Sequence, residues 1–168
     1  MAHNLGQTLI AQFAAVMPRQ VALVSCVSKK LTHLAPAKDL YCSSWWRLAK
    51  KYTETSRLDW RPLSARHGLL HPEQILAPYE ESLNNKSKEQ RIAWSQKVVE
   101  QLLELAPVGG TFVFIGGKKY REFVIPFIHN ASKEKKYLTL APMAGLGIGR
   151  QKQWLKEMAP QYVQLSIL

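Results

Sequence analysis

Four short apolar runs, at residues 21–25, 60–64, 111–115 and 137–140, alternate along the chain with segments of helical period. That alternation limits the possible folds more than any other feature. A strand followed by a helix and a second parallel strand must cross over, so the pattern predicts right-handed βαβ units. The expected architecture is a mostly parallel central sheet of about four strands with helices on both faces, a single three-layer α/β domain over residues 1–168. The run from Val21 to Val24 has no polar alternation, the mark of a strand buried on both faces.

The helical segments carry their own punctuation. Leu5, Leu9, Phe13 and Val16 share one face over residues 4–16, with Asn4 as a cap. Ser43 is placed to cap a helix running through Trp46, Leu48, Ala49 and Tyr52 to residue 55. Ser87 and Gln90 form a capping box that opens the longest helix, which Pro107, Gly109 and Gly110 end. Gly116 and Gly117 turn the third strand into a helix holding Phe123, Val124, Phe127 and Ile128, and a last helix covers residues 148–158. Residues 26–41 and 65–83 read as loops, and stretches of that length without structure usually serve function in a compact domain.

Charge sets the expected partner. Lys and Arg total 23 against 12 acids, a net charge of +11 that phosphate backbones would neutralise. DNA is therefore expected, in contact with a monomer. Membrane is not expected, because no apolar run has spanning length and no segment pairs a strong apolar face with a lysine face. Residues 1–7 lack the layout of a secretory signal, which points to the cytoplasm. Two cysteines, Cys26 and Cys42, are too few for a zinc site or a disulfide framework, so neither metal nor other cofactor is expected.

In parallel sheets the ligand crevice lies beyond the carboxyl ends of the strands. The polar candidates cluster there, at residues 25–30, 64–68, 116–119 and 141–149. Lys29 and Lys30 follow the first strand in a small polar turn suited to an anion. His67, beside Gly68, is placed to hold an anion or protonate a leaving group. The chain has only two aspartates; Asp59 precedes its strand, which leaves Asp39 as the candidate carboxylate, with Glu80 second. Gly145, Gly147 and Gly149 lead into a helix that begins with basic residues, so these glycines, with Arg150 and Lys152, are candidates to receive phosphate. Gly116, Gly117 and Lys118 are a second such group. Trp45 and Tyr79 are candidates for stacking on bases, whereas Trp46 sits at core spacing.

Several of these segments resemble a family of small bacterial and phage proteins catalogued as a domain of unknown function. They are Leu23-Val24-Ser25-Cys26 with Lys29, Ala35-Pro36-Ala37-Lys38-Asp39-Leu40-Tyr41 with Ser43, Leu63-Ser64-Ala65-Arg66-His67-Gly68-Leu69-Leu70, Pro78-Tyr79, and Gly145-Leu146-Gly147-Ile148-Gly149. The chain departs from that pattern at His71, where the family implies an acid. The family is similar to uracil-DNA-glycosylase-like domains, to accessory domains of tRNA-guanine transglycosylases and to a DNA-binding peroxide-stress family, although the literal motifs of the uracil enzymes are missing. Some relatives sit in phage-defence settings.

The resemblance implies base chemistry on a uracil-DNA-glycosylase-like fold. The expected activity is a monofunctional DNA glycosylase that flips out a modified base, such as a glucosylated hydroxymethylcytosine of phage DNA, and leaves an abasic site. Asp39 would stabilise the oxocarbenium-like sugar and activate water, and His67 or Lys29 would stabilise the departing base. The substrate set would be Ser25, Cys26, Tyr41, Ser43, Trp45, Ser64, Gly68, Tyr79 and Glu80. A non-catalytic DNA- or RNA-binding module needs the same charge and aromatics without the carboxylate. A hydrolase of free nucleosides would leave the net charge of +11 without a purpose.

DNA affinity should fall by about 10³-fold or more between roughly 50 and 200 mM salt, as displaced counterions require. Anisotropy titrations measure it, and an affinity that stayed flat over that range would contradict the nucleic-acid reading.

Overall fold

The computed structural model describes residues 19–131 and 136–165. The helix expected over residues 4–16 lies outside the described residues. In chain order the elements are β1 (Arg19–Ser25), β2 (Ala35–Pro36), α1 (Ala37–Leu40), α2 (Ser44–Thr55), β3 (Asp59–Ser64), β4 (Gly68–Leu69) and β5 (Ile75–Leu76). Then come α3 (Lys88–Leu105), β6 (Gly110–Ile115), α4 (Val124–Ala131), β7 (Tyr137–Leu140) and α5 (Ile148–Leu165). Two single 3₁₀ turns, Leu83–Asn85 and Lys118–Tyr120, complete the path.

β1 is the centre of a five-stranded sheet of order β4-β3-β1-β6-β7. It pairs in parallel with β3 and β6, β6 pairs in parallel with β7, and β4 alone is antiparallel. The sheet is one strand wider than the sequence pattern implied. The addition is β4, which folds back so that Leu69 lies opposite Leu63. Two residues are too short to carry a periodic signal.

The pleat divides two cores. Ala22 and Val24 of β1, with Val113 and Ile115 of β6, face Trp46, Ala49 and Tyr52 of α2 and Leu155 of α5. Val21 and Leu23, with Phe112 and Phe114, face Trp94, Val98 and Leu102 of α3 and Val124 and Ile128 of α4. Residues 21–24 are fully buried, as an all-apolar central strand requires. Helices therefore cover both faces.

Helix starts follow the expected chemistry. Ser43 Oγ accepts the Trp46 amide at 3.0 Å. Ser87 and Gln90 exchange bonds of 3.2 and 2.9 Å in the capping box that opens α3. The path after β6 differs from the expectation: a 3₁₀ turn intervenes, and α4 begins only at Val124. The two long connections are not structureless either. β2 pairs with β5, and α1 is held by Ala37 and Lys38 amides donating to the carbonyls of Gln74 and Pro72 at 2.8 and 2.9 Å.

Gly116 ends β6 with φ of 154°, and a Cβ there would lie 1.8 Å from Ser25 Oγ. Gly117 has no atom within 4 Å of its would-be Cβ. Gly116→Ala should therefore cost about 2–4 kcal/mol, from backbone strain and the clash together, while Gly117→Ala stays near neutral. Urea unfolding separates them; equal effects would contradict the close approach of β1 and β6.

Candidate functional site

The four parallel strands run in the order β3-β1-β6-β7, so the chain leaves β1 toward one side of the sheet and returns on the other. The connection from β1 runs through α2 on one face, and that from β6 through α4 on the other. Such a reversal opens a crevice beyond the carboxyl ends of the two strands. A cavity of about 320 Å³ lies there. Ser25 and Cys26 at the end of β1 line it with Ser28, Trp45 of α2, Ser82, Asn84, Gly117, Tyr120 and Gln151 of α5.

Among the described residues no charged side chain lines this cavity. Its surface is aromatic, hydroxyl, amide and thiol. Gln151 fixes one wall: its Oε1 accepts the Trp45 indole N–H at 3.0 Å, and its Nε2 donates to the Leu146 carbonyl at 2.7 Å. A second cavity, about 340 Å³, sits among Tyr52, Val113, Leu140 and Trp154. It is larger but lies away from the ends of β1 and β6 and has few convergent polar groups, so the first is the better ligand site.

Beneath the cavity floor the structure brings together four candidates from four separate segments. Ser64 Oγ lies 2.6 Å from Tyr79 Oη, which lies 2.7 Å from Tyr41 Oη. The Tyr41 hydroxyl neighbours the Cys26 thiol, and each influences the other's ionisation. Trp94 Nε1 anchors the Ser64 carbonyl at 2.9 Å. Burial pushes the Cys26 thiol far above its ordinary range, against the opposing pull of Tyr41 and Lys30, so the thiol is neutral. Burial likewise pushes Tyr79 up to about 12.

Charged candidates stand around this neutral centre. Lys30 Nζ lies 4.3 Å from the centroid of the Tyr79 ring and donates to the Ser28 carbonyl at 3.1 Å. Burial lowers its pKa, with Glu80 opposing the shift. His67 sets its ring edge-on to Tyr79, with centroids 5.2 Å apart. Lys29, Glu80, Lys118 and Arg150 are exposed, and Lys152 is half-buried. Gly145 turns with φ of 80°, and nothing approaches Gly147 or Gly149, so the glycine segment is open at the start of α5.

Other candidates stand apart. Asp39 does not line the crevice; its exposed carboxylate is paired with Lys50 of α2 at 2.6 Å. Ser43 is spent on capping α2. Gly68, with φ of 76°, makes room for the Gln101 side chain, which accepts the Leu69 amide at 2.8 Å. Sequence reasoning placed Ser28 in a candidate turn but did not single out Ser82, Asn84, Tyr120 or Gln151. Tyr120 and Gln151 each follow a glycine-bearing turn by two or three residues, which is a usable signal. Ser82 and Asn84 flank the fully buried Leu83, and Lys119 donates to the Asn84 carbonyl at 3.3 Å. Among the described residues no group of three or more His, Cys, Asp or Glu side chains is placed to hold a metal ion. No described helix is long and apolar enough to cross a membrane.

The chain belongs to a family of unknown function, DUF6884, whose profile matches residues 21–157. It is also similar to the uncharacterized protein YfjM of Bacillus subtilis (strain 168), 27% identical over 116 residues that cover 61% of this chain and 73% of YfjM. The family match begins in β1 and ends in α5, so every residue lining the crevice falls within it.

Burial, followed by the charges of Arg66 and Lys97, holds His67 below its ordinary value of 6.5. In the window below 6.5 the unfolded chain therefore takes up a proton that the folded chain refuses. The stabilising contribution is present above that window and is lost as pH falls through it. NMR titration should show the His67 imidazole titrating below 6.5, and His67→Gln should flatten this part of the stability profile. A midpoint at or above 6.5 would contradict the placement.

Proposed function

We propose that this DUF6884 protein is a DNA glycosylase of uracil-DNA-glycosylase-like fold, which draws a modified base out of the helix into the crevice between β1 and β6. The observation that carries the reading is the contrast between an uncharged, aromatic-walled crevice and the cations around it. A flipped base is planar, uncharged and rich in hydrogen-bonding edges, and it needs stacking surfaces and amides. Trp45, Tyr120, Asn84 and Gln151 supply these. The phosphates need cations outside the pocket, and Lys29, Lys118 and Arg150 are exposed. The parallel strand order and the resemblance of the His67-Gly68-Leu69-Leu70 segment support the fold assignment.

Cleavage has a definite electron balance. The C–N bond pair leaves with the base, the sugar carbon passes through an oxocarbenium-like state, water adds to it, and the water proton goes to a carboxylate. Glu80 is the better carboxylate than Asp39: it follows Tyr79 directly and is electrostatically coupled to Lys30, whereas Asp39 is held by Lys50. Lys30 is the cation best placed to stabilise the departing base. Defence against phage DNA carrying modified bases is the setting this activity would suit.

One observation favours a second reading. Among the described residues no carboxylate lines the crevice itself, which suits a module that binds an extruded base without cutting it. Incubation with a panel of unmodified and phage-modified DNAs, followed by alkaline cleavage, separates the two. The glycosylase reading expects abasic sites in at least one modified DNA, a loss on the order of 10²-fold in single-turnover rate for Glu80→Gln, and little change for Asp39→Asn. Binding to every DNA with no abasic site in any would leave the non-catalytic module.

A further inference from the structure

Gln151 is held by two partners that leave its amide a single orientation. The Trp45 indole N–H can only donate, so the atom that accepts it at 3.0 Å is the oxygen, Oε1. The Leu146 carbonyl can only accept, so the atom that donates to it at 2.7 Å is the nitrogen, Nε2. Turning the amide over would set nitrogen against the indole N–H and oxygen against the carbonyl, and both bonds would be lost. A carboxamide has two lone pairs and two hydrogens to offer. Trp45 uses one lone pair and Leu146 one hydrogen, so among the described residues one acceptor and one neighbouring donor are left over.

The backbone places that pair at the crevice. The Gln151 amide donates to the Gly147 carbonyl at 2.9 Å in the first turn of α5, and the half-buried residue lines the crevice beside Trp45. Trp45 is only 6% exposed, and its one polar atom is spent on Gln151. The indole is therefore a stacking surface with no donor of its own, and hydrogen bonding on this wall falls to the amide. A group that served only to satisfy the buried indole would need an acceptor and nothing more. Here the second bond, to Leu146, fixes the donor as well.

We propose that Gln151 is a specificity-determining residue of the crevice, with Trp45 and the Leu146 carbonyl holding its amide in the orientation that reads a base edge. The ligand is a heteroaromatic base that sets a donor beside an acceptor, as cytosine and adenine do with an amino group next to a ring nitrogen. A carboxamide pairs with such an edge through two hydrogen bonds at once. An edge of two donors or two acceptors leaves half of the fixed amide unpaired. The ligand assignment rests on the base-binding reading; the orientation of the amide does not.

Two measurements test these parts separately. The Gln151 side-chain amide gives two proton resonances, identified by their loss in Gln151→Met. In the free protein the proton bonded to Leu146 should exchange with water several-fold more slowly than its twin. Equal exchange of the two overturns the proposal, whatever the DNA data show. For the ligand, anisotropy compares a duplex bearing one unpaired cytosine with the same duplex bearing a nonpolar base of the same shape. Wild type should prefer cytosine by about tenfold or more, the worth of two neutral hydrogen bonds. Gln151→Met should erase that preference, and so should the double variant Trp45→Phe with Gln151→Met, in which no indole N–H is stranded. A merely structural glutamine would weaken both duplexes alike and keep their ratio. A preference that survives in either variant, or that is missing from a wild type that binds both duplexes, overturns the assignment of the reader. Unequal exchange with binding to neither duplex overturns the base-binding reading, and with it the ligand assigned to Gln151, while the amide orientation stands.

Discussion

The site depends on the hydroxyl of Tyr79. Its two hydrogen bonds, to Ser64 and Tyr41, tie the end of β3 to the segment that follows α1. Both long connections cross the carboxyl edge of the sheet, and neither has a long regular element to hold it there. A single buried oxygen with both kinds of partner satisfied does that work, and its low-dielectric surroundings make each bond stronger than it would be in water. Lys30 above the ring and His67 at its edge follow from the same anchor.

The neutrality of the crevice follows from the cost of desolvating charge. An ammonium or carboxylate at the floor would need a buried counter-charge, and the floor is already closed by Ser25, Cys26 and the tyrosines behind them. The charged groups stay where water reaches them. Asp39 finds Lys50, Arg66 faces Glu81 at 3.7 Å, and Lys119 reaches the Asn84 carbonyl at 3.3 Å. The result separates two tasks. Hydroxyls, amides and rings shape a pocket for an uncharged group, and lysines and arginines outside it suit a polyanion.

Much of this was legible in the sequence because it rests on local chemistry. The unbroken apolar run of β1 announced a strand buried on both faces. Ser43, Ser87 and Gln90 announced their helix starts. Ser25, Cys26 and Gly117 were found because candidates were sought where parallel strands end, and Trp45 because an aromatic among basic residues suits stacking. What failed had no local signature. β2, β4 and β5 are two residues each, too short for a period, and exist because distant backbone groups pair with them. The scarcity of aspartate singled out Asp39, but scarcity does not say where a carboxylate points. The partner that claims it lies eleven residues on, in α2. Tyr79 read as a stacking surface, and only the fold shows that its hydroxyl is the hub.

The central claim is that the crevice between β1 and β6 receives the extruded base. Indole N–H resonances report on it directly, because Trp45 lines that crevice and Trp154 lines the second cavity. On addition of a duplex with a single unpaired base, the account predicts that the Trp45 signal, held by Gln151 in the free protein, shifts while Trp154 stays in place. A Trp154 signal that moves while Trp45 is silent would put the ligand in the wrong cavity and contradict the account.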